Sequence, residues 1–286
     1  MIKRTLYFGN PVYLSLSMAQ LKIRFPEFRQ TIDSDISYAK DVGASVPIED
    51  IGVVVLDHQQ ITITQALLDA LMNNNVAVIS CDATHMPVGM MMVLNGNTVQ
   101  NERFRDQVVA SEPLKKQLWM QTVVAKVKNQ SALLRKLKKQ SDRLNIVYKN
   151  IKSGDSENGE ATAAAYYWPN LFSEFGNFTR DRFGLPPNNY LNYGYALLRA
   201  TMARCIVGAG LLPTLGIHHS NRYNAYCLAD DLMEPYRPYV DEVVYKLIDE
   251  YGTDEDISKD IKAILLQIPA MDVNINGQAS PLMNAM

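Results

Sequence analysis

The strongest constraint on the fold is a change of hydrophobic period near residue 95. Before it, Val12 to Ser17 and Leu21 to Phe25 alternate apolar with polar residues, as half-buried strands do. Ile51 to Leu56 and Val76 to Ile79 are short unbroken apolar runs, which suit strands buried on both faces. Between them Thr64 to Met72 has helical spacing closed by Asn73-Asn-Asn75, and a last strand over Val88 to Leu94 ends at the turn signal Asn95-Gly96-Asn97. A domain boundary is therefore expected at about residue 95.

Beyond residue 100 the chain reads as helix. Ser111 with Pro113 makes a helix start, and the segment on to Gln140 has few breakers, with Leu114, Leu118, Ala125, Leu133 and Leu137 as expected inward positions. Gly154 to Gly159 is a polar loop, followed by a helix from Glu160 to Trp168 that Pro169 should stop. Pro186-Pro-Asn-Asn189 opens a helix running to Gly208-Ala-Gly210, and Tyr236, Val240, Val243, Val244, Leu247, Ile248 and Tyr251 trace an amphipathic stripe ending at Gly252. Ser280-Pro281 starts a helix that the chain does not finish, so a continuation past Met286 is expected. The fold class is α+β, with a β-rich N-terminal domain (1–95) followed by an all-helical C-terminal domain (96–286), and 286 residues suffice for two cores.

With 47% apolar and 20% charged residues, the chain has the composition of a globular protein. The first residues lack the apolar stretch of a signal peptide, and the run near Ala196 to Leu212 carries Arg199 and Arg204, so a cytoplasmic protein without membrane partners is expected. Cys81, Cys205 and Cys227 are odd in number and widely spaced, which argues for reduced thiols over a disulfide or zinc framework. The net charge of −2 is unremarkable, but its distribution is uneven. From Pro113 to Ser141 there is no acid, while Lys115, Lys116, Lys126, Lys128, Arg135, Lys136, Lys138 and Lys139 all fall there; from Asp230 to Asp260 acids dominate. Basic residues on a long helix are commonly only solubilising, but so many without an acid favour contacts to a phosphate backbone.

Three places could carry chemistry. Glu160 opens a helix after a glycine-bearing loop; His218 and His219 follow Gly216; Asp231 and Glu234 share one face if residues 225–233 are helical. Carboxylates with imidazole are a ligand set for Mg²⁺ or Mn²⁺, and such an ion serves attack on a phosphodiester. Each also has a structural reading: Glu160 as a helix-dipole residue, a histidine bound to backbone, Asp231 and Glu234 as ion-pair partners of Arg237 or Arg222. Tyr166, Tyr167 and Trp168 could stack on bases but fit a core better, and Met90-Met91-Met92 fits strand core and interface.

At these residues the sequence resembles the CRISPR-associated integrase family of spacer acquisition. The likeness is strongest over Gly216 to Asp241, where Asp231-Leu-Met-Glu-Pro-Tyr-Arg-Pro238 is highly specific, and extends to Glu160-Ala-Thr-Ala-Ala-Ala-Tyr-Tyr-Trp168, to Leu191-Asn-Tyr-Gly-Tyr-Ala196, and to Cys81-Asp82 with Pro87-Val-Gly89. The resemblance implies that Glu160, His219 and Glu234 hold a catalytic Mg²⁺ or Mn²⁺, with Asp231 as a supporting carboxylate. The spacing from Gly216 in the family pattern selects His219 over His218; Ala161 stands where relatives have glycine. It further implies a homodimer paired through the β-rich domain, a small ferredoxin-like CRISPR-associated partner protein, and double-stranded DNA (prespacer and CRISPR array) as substrate, with prespacer 3′-hydroxyls joined to the repeat. A stand-alone metal-dependent nuclease and a non-catalytic DNA-binding scaffold are the alternatives weighed against it.

Overall fold

The computed structural model describes residues 3–26, 44–176, 178–275 and 277–286. It divides into two compact units, Met1–Leu94 and Asn95–Met286.

The first unit holds β1 (Arg4–Phe8), β2 (Val12–Ser17), β3 (Gln20–Arg24), β4 (Ser45–Pro47), β5 (Ile51–Leu56), β6 (Ile61–Ile63), α1 (Gln65–Asn73), β7 (Ala77–Cys81) and β8 (Pro87–Met91). One sheet has the order β1-β5-β7-β8, parallel over its first three strands and closed by antiparallel β8; the other has the order β4-β3-β2-β6. β5 is the Ile51-Gly-Val-Val-Val55 run, buried along its length because both its edges are paired and both faces covered. β2 follows the alternation of its sequence: Val12 and Leu14 are buried while Tyr13 is exposed. α1 places Leu67 and Leu71, one turn apart, into the same core as Leu14, Leu21, Ile51 and Val54.

The second unit is built on α2 (Gln100–Val109), α3 (Glu112–Lys136), α4 (Asp142–Lys149), α5 (Gly159–Leu171), α6 (Asn188–Gly208), α7 (Cys227–Met233), α8 (Arg237–Tyr251), α9 (Lys259–Leu265) and the short α10 (Leu282–Ala285). α3 begins as its sequence says: the Ser111 hydroxyl accepts from Leu114 N and Pro113 occupies the first turn. Its inner face differs from the leucine spacing. Trp119, Val123, Val127, Leu133 and Leu134 are buried together with Thr122 and Gln130, whereas Leu114 and Leu118 are exposed. Leu118 instead lines an apolar cleft of 570 Å³ with Leu211, Ile217 and Leu228. Polar residues on the buried stripe of α3 disguised its true orientation. Pro169 does not stop α5, which runs two residues further; the Asn170 side chain donates to the Tyr166 carbonyl there.

The second unit is not wholly helical. β9 (Asp272–Ile275) pairs antiparallel with β10 (Gln278–Pro281), and Gly277 takes a φ of +81° between them. With Val273 its one buried residue, β9 is too short to show a period of two, and Pro281 closes β10 before α10 begins.

α6 is buried almost all round. Its Gly194 permits close approach of α8: a Cβ there would lie 2.5 Å from Val240 Cγ1. Gly194→Ala is therefore expected to destabilise the chain by about 1–3 kcal/mol through overpacking, read as a lower urea midpoint with unchanged slope.

Candidate catalytic site

Glu160, Glu234 and Lys126 meet at the junction of three helices. Glu160 lies in the first turn of α5, where the helix dipole favours a carboxylate. That turn is held by a residue not singled out in the sequence. Asp155, at φ +51°, accepts from the Gly159 and Glu160 amides at 2.8 and 3.0 Å and so caps the helix that Asn158 leaves uncapped. Glu234 opens the tight turn between α7 and α8, with its side chain 6% exposed. Lys126, from the middle of α3, places Nζ 2.6 Å from Glu160 Oε1 and 2.6 Å from Glu234 Oε2.

Arg237 holds the other oxygen of Glu234, its Nε 2.8 Å from Oε1. Burial alone would raise the pKa of Glu234, but Arg237 and Lys126 outweigh it and hold the carboxyl below its ordinary value. Burial would likewise depress Lys126, yet Glu234 and Glu160 keep its ammonium above the usual lysine value. Lys126 meets Glu234 at Oε2, an oxygen buried from solvent.

His219 is set by Asp231. This fully buried carboxylate from α7 accepts from the backbone amides of Ile217, His218 and His219 at 2.7, 3.0 and 3.2 Å, and bonds His219 Nδ1 as well. Both its oxygens are thereby engaged, so it positions the loop and the imidazole and leaves Nε2 outside the hydrogen bond. The hydrogen bond to Asp231 raises the pKa of His219 above the ordinary imidazole value, with burial opposing. Gly216 makes the loop possible, since a Cβ would meet the His219 carbonyl at 2.2 Å and Asp231 Oδ2 at 2.9 Å. His218 stacks flat on the buried Trp119, ring centroids 4.1 Å apart.

A third layer lies beneath. Asp241 of α8 is buried and accepts from the hydroxyls of Tyr167 (2.8 Å) and Tyr195, and Arg237 lies over the Tyr195 ring at 4.5 Å. Burial pushes the Asp241 carboxyl up to about 6, the two hydroxyls and Arg237 offsetting part of the effect. Tyr167 is thus a core residue, and Trp168 packs against Phe172 and Phe178.

The donor set suits a divalent cation: two carboxylates that one cation already bridges, the buried Oε2 of Glu234 among their oxygens, and an imidazole oriented by a carboxylate. Among the described residues no group of three or more His, Cys, Asp or Glu is gathered closely enough to hold a metal.

The basic residues between Lys115 and Lys139 divide, α3 itself ending at Lys136. Lys116, Lys128, Arg135 and Lys138 are exposed. Lys136 is exposed but paired with Glu242 at 2.7 Å, and Lys115 with Glu112 at 3.2 Å. Lys139 is largely covered, bonded to Glu174 and the Leu171 carbonyl over the Tyr245 ring. Lys126 points inward. Its position and that of Lys139 do not fit the backbone contacts expected of them. The three cysteines are free thiols, and no helix among the described residues is long and apolar enough to cross a membrane.

Comparison with known proteins places these features in a family. The family model described as CRISPR associated protein Cas1 matches residues 33–273. A CRISPR-associated endonuclease Cas1 of Neisseria meningitidis serogroup C (strain 8013) is 35% identical over 236 residues, 82% of this chain and 77% of that one. A second, from Pyrobaculum aerophilum, is 29% identical over 71% of this chain and 73% of its own. Among solved structures, a casposase bound to integration product superposes with a TM-score of 0.71 at 21% identity, covering 100% of this chain and 87% of that chain. A Cas1 protein from Thermotoga maritima gives 0.70 at 16% identity over 93% and 89%.

Two outcomes follow from the geometry. Asp231→Ala leaves three backbone amides without their acceptor and should destabilise the chain on the order of 3 kcal/mol, measured by urea unfolding. For Asp241, an unfolded aspartate titrates near 4 and the folded one at about 6. Between these values the folded chain holds the extra proton, so this group adds stability as pH falls from about 6 towards about 4. Wild type should gain stability relative to Asp241→Asn over that window, and the difference should be flat above it.

Proposed function

The chain belongs to the Cas1 family, and from that premise we propose that it is a CRISPR spacer-acquisition integrase, a metal-dependent DNA endonuclease and transesterase. The observation that carries the reading is the convergence of Glu160 and Glu234 on one cation, beside an imidazole held by Asp231. A buried carboxylate such as Glu234 facing the partly buried Glu160 is costly unless a positive charge between them is part of the design.

In this reading Glu160, His219 and Glu234 hold Mg²⁺ or Mn²⁺. The bound ion would neutralise charge on the scissile phosphate and favour the deprotonated form of the attacking hydroxyl. The residues of the chain supply the rest. Asp231 keeps the His219 ring turned so that Nε2 faces away from the carboxylate, and Asp155 fixes the start of α5 and with it Glu160. Arg237 anchors the oxygen of Glu234 that Lys126 does not touch. In the joining reaction a prespacer 3′-oxygen forms a bond to a repeat phosphorus while the bond from that phosphorus to the neighbouring 3′-oxygen breaks. One phosphodiester is exchanged for another, so no energy-supplying cofactor is required, and the leaving oxygen takes up the proton that the attacking hydroxyl gives away.

Their exposure supports assigning Lys116, Lys128, Arg135 and Lys138 of the basic cluster to contacts with DNA phosphates. The solved Cas6-RT-Cas1–Cas2 complex, whose superposition with this chain gives a TM-score of 0.69, is an assembly with a CRISPR-associated partner. By analogy this chain works with a small ferredoxin-like partner and as a homodimer paired through its β-rich unit, on double-stranded prespacer and repeat DNA.

The test is an integration assay with the small partner, a duplex bearing 3′-hydroxyls, a supercoiled repeat-bearing plasmid and Mn²⁺ or Mg²⁺. Joined products should be lost in Glu160→Gln and His219→Ala, by about 100-fold or more, and kept in His218→Ala, whose ring packs on Trp119. Cleavage without joining would instead indicate a stand-alone nuclease, and no metal-dependent chemistry a scaffold.

A further inference from the structure

Lys126 is buried at the centre of the site, with its side chain 12% exposed, and touches two acids that come from different parts of the helical unit. Its ammonium donates to Glu160 Oε1 and lies 2.6 Å from the buried Glu234 Oε2. Without a cation, the buried Glu234 and the partly buried Glu160 repel each other. The lysine stem is flexible and its head a point charge, so it can leave a pocket that a planar guanidinium would lock. A divalent ion brings twice the charge to oxygen contacts of about 2.0–2.6 Å, and two cations cannot share the space between these oxygens.

We propose that Lys126 is a displaceable counter-cation: its ammonium holds Glu160 and Glu234 facing one another in the metal-free chain, and a divalent cation that binds the pair drives it out. This rests on the metal-site reading above and adds to it. The lysine keeps the empty site folded, and it lowers the affinity of the carboxylate pair for metal because every binding event must first release the ammonium.

The test compares the full-length wild type with Lys126→Gln, by calorimetric titration with Mn²⁺ and by thermal unfolding in chelator and in saturating Mn²⁺. Lys126→Gln should melt below wild type in chelator, bind Mn²⁺ at least about tenfold more tightly, and lose its melting deficit once Mn²⁺ is saturating, because the ion then supplies the missing charge. Unchanged or weaker Mn²⁺ binding, with a deficit that persists at saturation, would make Lys126 a fixed structural partner and overturn the proposal. Should the variant fail to fold, wild type alone decides by acetic anhydride footprinting, with exposed Lys128 as internal reference. Lys126 should be shielded in chelator and gain reactivity in saturating Mg²⁺; equal shielding in both overturns the proposal. Failure of both proteins to bind either ion removes the metal site itself, whereas metal binding and strand joining that are indifferent to Lys126 remove only this inference.

Discussion

The helical unit depends on satisfying opposed charges out of water. Glu160, Glu234, Lys126 and Arg237 occupy a junction where an unpaired member would cost several kcal/mol. Hydrophobic packing is tolerant of small shifts, whereas ion contacts of 2.6 to 2.8 Å are not, so the charges set the register in which α3, α5 and the α7–α8 turn meet. A well-packed apolar substitute could be as stable. That the chain retains charge at this point is why the junction reads as a site.

Support for the site comes from acids that would not themselves touch a substrate. Asp155 fixes the start of α5, Asp231 fixes the loop at Gly216 and the ring of His219, and Asp241 gathers Tyr167 and Tyr195 under Arg237. Each accepts several donors, which makes its geometry over-determined. The result is a graded environment: the half-exposed His219 lies outermost, Glu234 further in with a depressed pKa, and Asp241 innermost with a raised one. Depth and the balance of charges, rather than residue type, decide which way each carboxyl pKa moves.

Local elements were the most legible part of the sequence. β2 and β5 match their patterns residue for residue, and α1 and the start of α3 lie where period and capping put them. The orientation of α3 was not legible, because a buried stripe containing Thr122, Lys126 and Gln130 does not look apolar. β9 was too short for its period to register, and Pro169 stands inside α5 without ending it at once. Within the site, the spacing of Asp231 and Glu234 was visible but their division of labour was not. Only the loop geometry shows that one carboxylate is consumed by backbone amides while the other faces a cation.

The acid-free run from Pro113 to Ser141 also takes on a different meaning. Apart from Lys115, which pairs with Glu112 in the first turn, its paired bases meet acids that arrive from other elements: Glu160 from α5, Glu234 from the α7–α8 turn, Glu242 from α8, and Glu174 from the turn after α5. Had the acids stood on α3 itself, at the i+3 and i+4 positions usual for a solvated helix, the inward lysines would have been satisfied locally. They could then not tie α3 to its neighbours. The outward bases, Lys116, Lys128, Arg135 and Lys138, would have lost their net positive field to nearby carboxylates. One compositional rule, no acid on this helix after Glu112 in its first turn, therefore serves both faces: it makes the inner lysines cross-link the fold and leaves the outer face available to an anion.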